Sequence, residues 1–147
     1  MVLSDKLQLP VAVCAAVIVD NDRVLITKRP DDKKLGGFWE FPGGKMDADE
    51  SPAATVIREI KEELNIEVTV DTILETVYHR YDWGRVLIIA YLCSWQGGVI
   101  EHREVADHAW VTPDQFSDYP LLPADMPILD KIRAHLSPDN PGTKEAS

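Results

Sequence analysis

The sequence predicts a mixed α/β domain. Three observations carry that expectation: β-branched apolar runs at residues 11–19, 24–27 and 85–95, an amphipathic stretch from Pro52 to about Leu64 with helical period, and a second amphipathic stretch over residues 126–136. At 147 residues the chain reads as one domain, covering residues 1–136, with enough length for a real core.

The runs VAVCAAVIV and VLIT are joined by Asp20-Asn21-Asp22-Arg23, which reads as a hairpin turn. Lys28-Arg29 ends the second strand, where a lone arginine is ordinarily a surface charge. Residues 30–37 form a polar loop. Phe38-Trp39-Glu40-Phe41 is then a short aromatic strand in which Trp39 is expected to pack rather than stack on a base. It leads into Phe41-Pro42-Gly43-Gly44, whose glycines either turn the chain or let backbone pass close to a ligand.

Ser51-Pro52 opens the helix with a capping hydroxyl and a proline at the first helical position, where a missing N–H costs nothing. At about 100° per residue, Ala53, Val56, Ile57, Ile60 and Leu64 fall within an arc of about 100°, the width of a buried stripe. Glu59, Glu62 and Glu63 fall in a separate arc. Like charges at these spacings destabilise a helix by a few tenths of a kcal/mol per pair. A divalent cation removes the penalty, because Mg²⁺ takes about six oxygen ligands and shares carboxylates with phosphate oxygens. The same residues also suit a solvated face with Arg58 paired to Glu62 at i+4. The glycine loop ahead of the helix favours the metal reading, since it offers a bare carbonyl or N–H opposite the carboxylates.

Beyond the helix, residues 67–74 and 76–81 read as two strands, Asp82-Trp83-Gly84 as a turn, and residues 85–95 as the longest strand. Glu101-His102-Arg103-Glu104 precedes a short strand at Ala109-Trp110-Val111, and a carboxylate from that loop suits a metal shell or a proton acceptor. His102 and His108 lack a ligand spacing and are expected on the surface. Thr112-Pro113-Asp114-Gln115-Phe116 resembles a capped short helix, and Asp125 the N-cap of the closing helix. Residues 137–147 have the composition of a disordered tail.

Composition narrows the function classes. No apolar run approaches the roughly 20 residues that span a bilayer, and the first ten residues lack the pattern of a signal peptide, so a cytoplasmic protein without membrane contact is expected. Both cysteines, Cys14 and Cys93, lie in strand-like runs and read as buried thiols. A net charge of −10 argues against a nucleic-acid polymer as partner. A small anionic substrate that arrives with metal remains compatible.

The pattern Gly44-x5-Glu50-x7-Arg58-Glu59-Ile60-x-Glu62-Glu63-x-Asn65-Ile66 resembles the Nudix box, the signature of hydrolases of nucleoside diphosphates linked to another group. Asn65 stands where that pattern has glycine, and asparagine tolerates the left-handed backbone of a helix end. The chain is most similar to MutT-like nucleoside triphosphate pyrophosphohydrolases, from the first strand through the Pro-Ala-Asp segment. The resemblance implies the Nudix fold, a mixed sheet sandwiched between helices, and Mg²⁺, or Mn²⁺ in its place, held by Glu59 and Glu63 with Glu62, the Gly43 carbonyl and Glu104. Arg58 is expected to orient these carboxylates, and the general base falls on the helix or on the Glu104 loop.

For the substrate it implies that Arg29 contacts the nucleotide, that Glu40, Phe41, Pro42 and Gly43 lie beside it, and that Arg85 and Asp125 lie near the base. A nucleotide-pool sanitising activity on 8-oxo-dGTP is the leading expectation. Asparagine reads the purine edge in MutT-type enzymes where Asp125 stands here, and relatives acting on cytidine nucleotides carry aspartate, so CTP, dCTP or 5-methyl-dCTP is the alternative. A catalytically inactive nucleotide-binding module is the alternative of another class; such modules usually lose the helix carboxylates, which this chain keeps. Oligomeric state is open.

Overall fold

A computed structural model describes residues 9–136. The tail expected at residues 137–147 lies outside the described residues. The seven strands β1 (Val11–Asp20), β2 (Arg23–Lys28), β3 (Trp39–Glu40), β4 (Gly43–Lys45), β5 (Glu67–Tyr81), β6 (Gly84–Gly97) and β7 (Asp107–Val111) form one mixed sheet. Helices α1 (Pro52–Leu64) and α2 (Met126–His135) cover it, so the expected sandwich is the observed architecture.

Strand β1 is apolar from Val11 to Val19 because both faces of its central part are covered. Ala15 and Val17 face the layer that contains Ile128, Leu129 and Ile132 of α2. Cys14, Ala16 and Ile18 face the layer that contains Val56, Ile60 and Leu64 of α1. Cys14 and Cys93 are both free and buried, as expected.

One edge of β1 pairs in parallel with β6, from Val11↔Val86 to Val19↔Ser94. Its other edge is shared. Asp20 and Val19 pair with Arg23 and Val24 through a turn in which Asn21 and Asp22 both have positive φ, the geometry of a tight two-residue hairpin. Farther back the two strands part, and Val13, Cys14 and Ala15 pair instead with Lys45, Gly44 and Gly43 of β4. Strand β2 in turn gives Thr27 and Lys28 to Glu40 and Trp39 of β3. The segment from Trp39 to Lys45 thus fills the fork between β1 and β2, so the glycine loop is itself part of the sheet. Trp39 is buried edge-to-face against Tyr119, 4.8 Å between ring centroids, which makes it a packing residue.

Helix α1 has the bounds the sequence predicts. The Ser51 hydroxyl accepts from the Ala54 N–H at 3.2 Å, and Asn65 ends the helix at φ 60°, ψ 31° with its N–H on the Lys61 carbonyl. Val56, Ile60 and Leu64 of the expected stripe are buried, but its edge differs: Ile57 is 40 % exposed and Thr55 is fully buried. The Thr55 hydroxyl is satisfied by Glu50 at 2.9 Å, which permits a polar residue in the core.

The strands expected at residues 67–74 and 76–81 are one strand, β5. Register shifts between Val70 and Thr72 and between Ile73 and Glu75 break its alternation without ending its pairing with β6. After β7 a short 3₁₀ helix, Pro113–Asp118, is held by the Thr112 N–H on the Gln115 side chain at 2.9 Å. Asp125 stands at the start of α2 but makes no capping hydrogen bond there. Its carboxylate turns inward to the Phe41 N–H at 3.1 Å, which corrects the N-cap expectation. Among the described residues no helix is long and apolar enough to cross a membrane.

Candidate active site

A cavity of about 550 Å³ opens between the fork and α1. Helix α1 sends Glu59 and Glu63 into it from successive turns. Gly44 lies directly beneath the Glu59 carboxylate, where any Cβ would collide with it, and a Cβ on Gly43 would overlap the Cys14 carbonyl oxygen across the sheet. Gly44 therefore allows the helix to settle this close to β4, and Gly43 allows β4 to lie this close to β1. The Gly43 N–H donates to the Glu63 carboxylate at 3.2 Å.

Glu104 joins them from the loop before β7. That loop is pinned where α1 leaves carbonyls without helical partners: the Glu101 N–H donates to Leu64 O at 2.9 Å and the Arg103 N–H to Glu63 O at 3.0 Å. Farther on, the Ala106 N–H donates to Lys28 O at 2.9 Å. One carboxylate oxygen from each of Glu59, Glu63 and Glu104 lies within 4.8 Å of the others. Burial lifts the Glu63 carboxyl well above the usual carboxylate range, and Glu40 and Glu59 add to the rise against the Gly43 N–H. Burial also raises Glu59, opposed by Arg58 and reinforced by Glu62 and Glu104. Two half-buried carboxylates and the exposed Glu104, gathered together and repelling one another, form an oxygen-only donor set that suits a hard divalent cation.

Glu62 is outside this cluster. It accepts from Arg58 at 3.1 Å at i+4, the pairing that the solvated-face reading describes. Arg58 also donates to Glu59 at 2.9 Å and to Glu50 at 2.6 and 2.8 Å. It orients Glu59 and does not line the cavity, and the same hydrogen bonds hold the Glu50 carboxyl down to about 2.

On the opposite wall Arg29 pairs with Glu40 at 3.2 Å and donates through Nε to the Lys34 carbonyl at 2.8 Å. Burial raises the Glu40 carboxyl although Arg29 opposes the shift. Phe41, Gly43 and Asp125 line the same cavity. Asp125 is 5 % exposed, and burial, with Glu40 nearby, pushes its carboxyl up to about 8. Pro42 is buried with its carbonyl on the Ala16 N–H at 2.8 Å, and it does not reach the cavity. Arg85 does not reach it either: Val86 and Ile88 of β6 line the wall, while Arg85 interacts with the exposed Tyr78.

Three residues that sequence reasoning passed over form the rim. Tyr81 and Trp83 stack at 5.1 Å with planes 7° apart, and the Lys34 ammonium sits 4.2 Å from the centre of the Trp83 ring. The i, i+2 aromatic pair at the hairpin was the available signal.

The model of the NUDIX domain matches residues 13–131. The chain belongs to the Nudix hydrolase family. It is 34 % identical over 128 residues to the CTP pyrophosphohydrolase of Escherichia coli K12, covering 84 % of this chain and 92 % of that one. It is 38 % identical over 103 residues to the 8-oxo-dGTP diphosphatase of Proteus vulgaris, covering 69 % and 90 %. A solved MutT NUDIX hydrolase from Burkholderia pseudomallei superposes with a TM-score of 0.75 at 29 % identity, covering 84 % and 98 %. The protein is thus a Nudix hydrolase, of a family that works with a divalent metal, and the Glu59, Glu63 and Glu104 oxygens fit such an ion.

Proposed function

We propose that this Nudix hydrolase converts a (deoxy)nucleoside triphosphate to the monophosphate and pyrophosphate, with 8-oxo-dGTP as leading substrate. The observation that carries the proposal is that the carboxylate cluster and the buried, inward-turned Asp125 line one cavity. Triphosphate chemistry and base recognition then take place on a single bound nucleotide.

Glu59, Glu63 and Glu104 would hold Mg²⁺, which would neutralise charge developing on phosphate and make water a better nucleophile. Arg58 keeps Glu59 in place and the Gly43 N–H keeps Glu63 in place. A carboxylate of the cluster takes the proton of the attacking water. Arg29, released from Glu40 by a phosphate, positions the triphosphate together with Lys34.

At neutral pH the Asp125 carboxyl is protonated, presenting one donor and one acceptor. That pair complements the O6 and N7–H of 8-oxoguanine, whereas unmodified guanine shows two acceptors on the same edge. Cytosine offers an acceptor and a donor at N3 and N4, so cytidine triphosphates are the second reading. Aspartate at position 125 and similarity to a CTP pyrophosphohydrolase favour that second reading.

Pyrophosphate release with Mg²⁺, compared as kcat/KM across 8-oxo-dGTP, dGTP, CTP, dCTP and 5-methyl-dCTP, tests the assignment. A preference of about tenfold for 8-oxo-dGTP over dGTP, about 1.4 kcal/mol, is expected. A preference of that size for the cytidines replaces the leading substrate with the second, and no turnover on any of them refutes both.

A further inference from the structure

His102 and His108 read from sequence as unrelated surface residues, and the fold brings them together. His102 Nε2 lies 2.7 Å from His108 Nδ1, with the two rings edge-to-face. Asp107 completes a trio, with one ligand atom from each residue within 4.8 Å of the other two. The convergence is built by the backbone. The loop after β6 is fixed at Arg103 to the α1 carbonyl of Glu63, while Asp107 and His108 begin β7, in register with Lys28 and Thr27 of β2.

Two imidazole nitrogens and one carboxylate oxygen are a donor set for borderline divalent ions such as Zn²⁺ and Co²⁺, and a poor one for Mg²⁺, which prefers oxygen alone. The trio therefore differs in chemistry from the all-carboxylate cluster of Glu59, Glu63 and Glu104. Its two ring nitrogens hydrogen-bond to each other and Asp107 accepts from the His108 N–H at 2.8 Å, so a bound ion takes the place of the contact between the rings. Two of the three side chains are exposed and His108 is half-buried, so an ion reaches the site from solvent.

We propose that His102, Asp107 and His108 form a second metal site, for Zn²⁺ or a similar transition ion, which clips together the two ends of the loop that carries Glu104. Residues 102 and 107–108 bracket Glu104, so an ion held there restrains the segment that delivers this carboxylate to the cavity. Ion binding stands on the trio's geometry alone. Only its effect on turnover rests on the role given to Glu104 under the proposed function.

The test is titration of the full chain with Co²⁺ in millimolar-order Mg²⁺, which keeps the carboxylate cluster filled, read by the visible d–d absorption of the bound cobalt. One saturable equivalent is expected in the wild type and in Glu63→Gln. In His108→Ala and in His102→Gln its affinity is expected to fall by about tenfold or more, with the metal-free thermal midpoint unchanged. Using two variants on different elements keeps the result readable if one of them folds poorly. No saturable cobalt signal in the wild type overturns the proposal. A signal that survives both histidine variants, or is lost in Glu63→Gln instead, overturns it as well.

Discussion

Replacing Asp125 with asparagine isolates the protonation state on which base recognition depends. The wild-type carboxyl is buried, accepts the Phe41 N–H at 3.1 Å, and is pushed up to about 8 by burial first and Glu40 second, with the Phe41 N–H and Arg29 opposing. In the unfolded chain an aspartate ionises near about 3.9. Between those values the folded state holds a proton that the unfolded state lacks, so stability falls as pH rises, by up to about 1.4 kcal/mol per unit, and levels off above the folded value. Asparagine retains an acceptor for Phe41 and places an NH₂ donor where the carboxylic O–H was, and it does not titrate. Between about pH 5 and about pH 8 the wild type should therefore lose up to about 4 kcal/mol relative to Asp125→Asn. The other raised carboxyls, Glu40, Glu59 and Glu63, are common to both proteins and largely cancel in the difference. Urea unfolding at steps across this range, with midpoints converted at constant m, measures it. Parallel stability curves would mean that Asp125 is ionised in the folded protein and would refute the donor-and-acceptor account of the base.

Other substitutions separate catalysis from folding. Gly44→Ala should cut metal-dependent turnover by about tenfold or more with little change in thermal midpoint, because its Cβ displaces the Glu59 carboxylate, the end of a side chain. Gly43→Ala should instead destabilise the protein by at least about 1–3 kcal/mol, because its Cβ meets the β1 backbone at the Cys14 carbonyl; denaturant titration distinguishes the two. Thr55→Val should lower stability by about 1 kcal/mol, the worth of the hydroxyl's bond to Glu50, with KM for nucleotide unchanged.

The parts of the fold legible in the sequence were those encoded locally. Ser51-Pro52 and Asn65 mark both ends of α1 because capping and left-handed backbone are properties of single residues. The Asp20 to Arg23 turn is legible for the same reason. Within α1, periodicity located a stripe but not which edge of it meets the sheet, so Ile57 was expected inside and Thr55 was not. Bulges hide the continuity of β5, since each one resets the alternation on which strand reading depends.

The site divides in the same way. Glu59 and Glu63 are one helical turn apart and could be paired from spacing alone, whereas Glu104, Arg29 and Asp125 entered through resemblance to a family. Arg58's choice of Glu50 as a partner, the meeting of His102 with His108, and the Lys34 contact with Trp83 all depend on how separate loops dock. Asp125 illustrates the limit most directly: its position is that of an N-cap, and its side chain serves the fork between β1 and β2.

The central claim is that the carboxylates converging from α1 and the Glu104 loop perform the hydrolysis. Its most direct test is kcat for pyrophosphate release from 8-oxo-dGTP, or from whichever nucleotide of the panel is turned over best, at saturating Mg²⁺, comparing wild type with Glu63→Gln. The account predicts a loss of about 10²–10⁴-fold in kcat, with the thermal midpoint equal or higher, since a half-buried carboxylate that repels its neighbours has been made neutral. Turnover within a few-fold of wild type in a folded Glu63→Gln protein would contradict it.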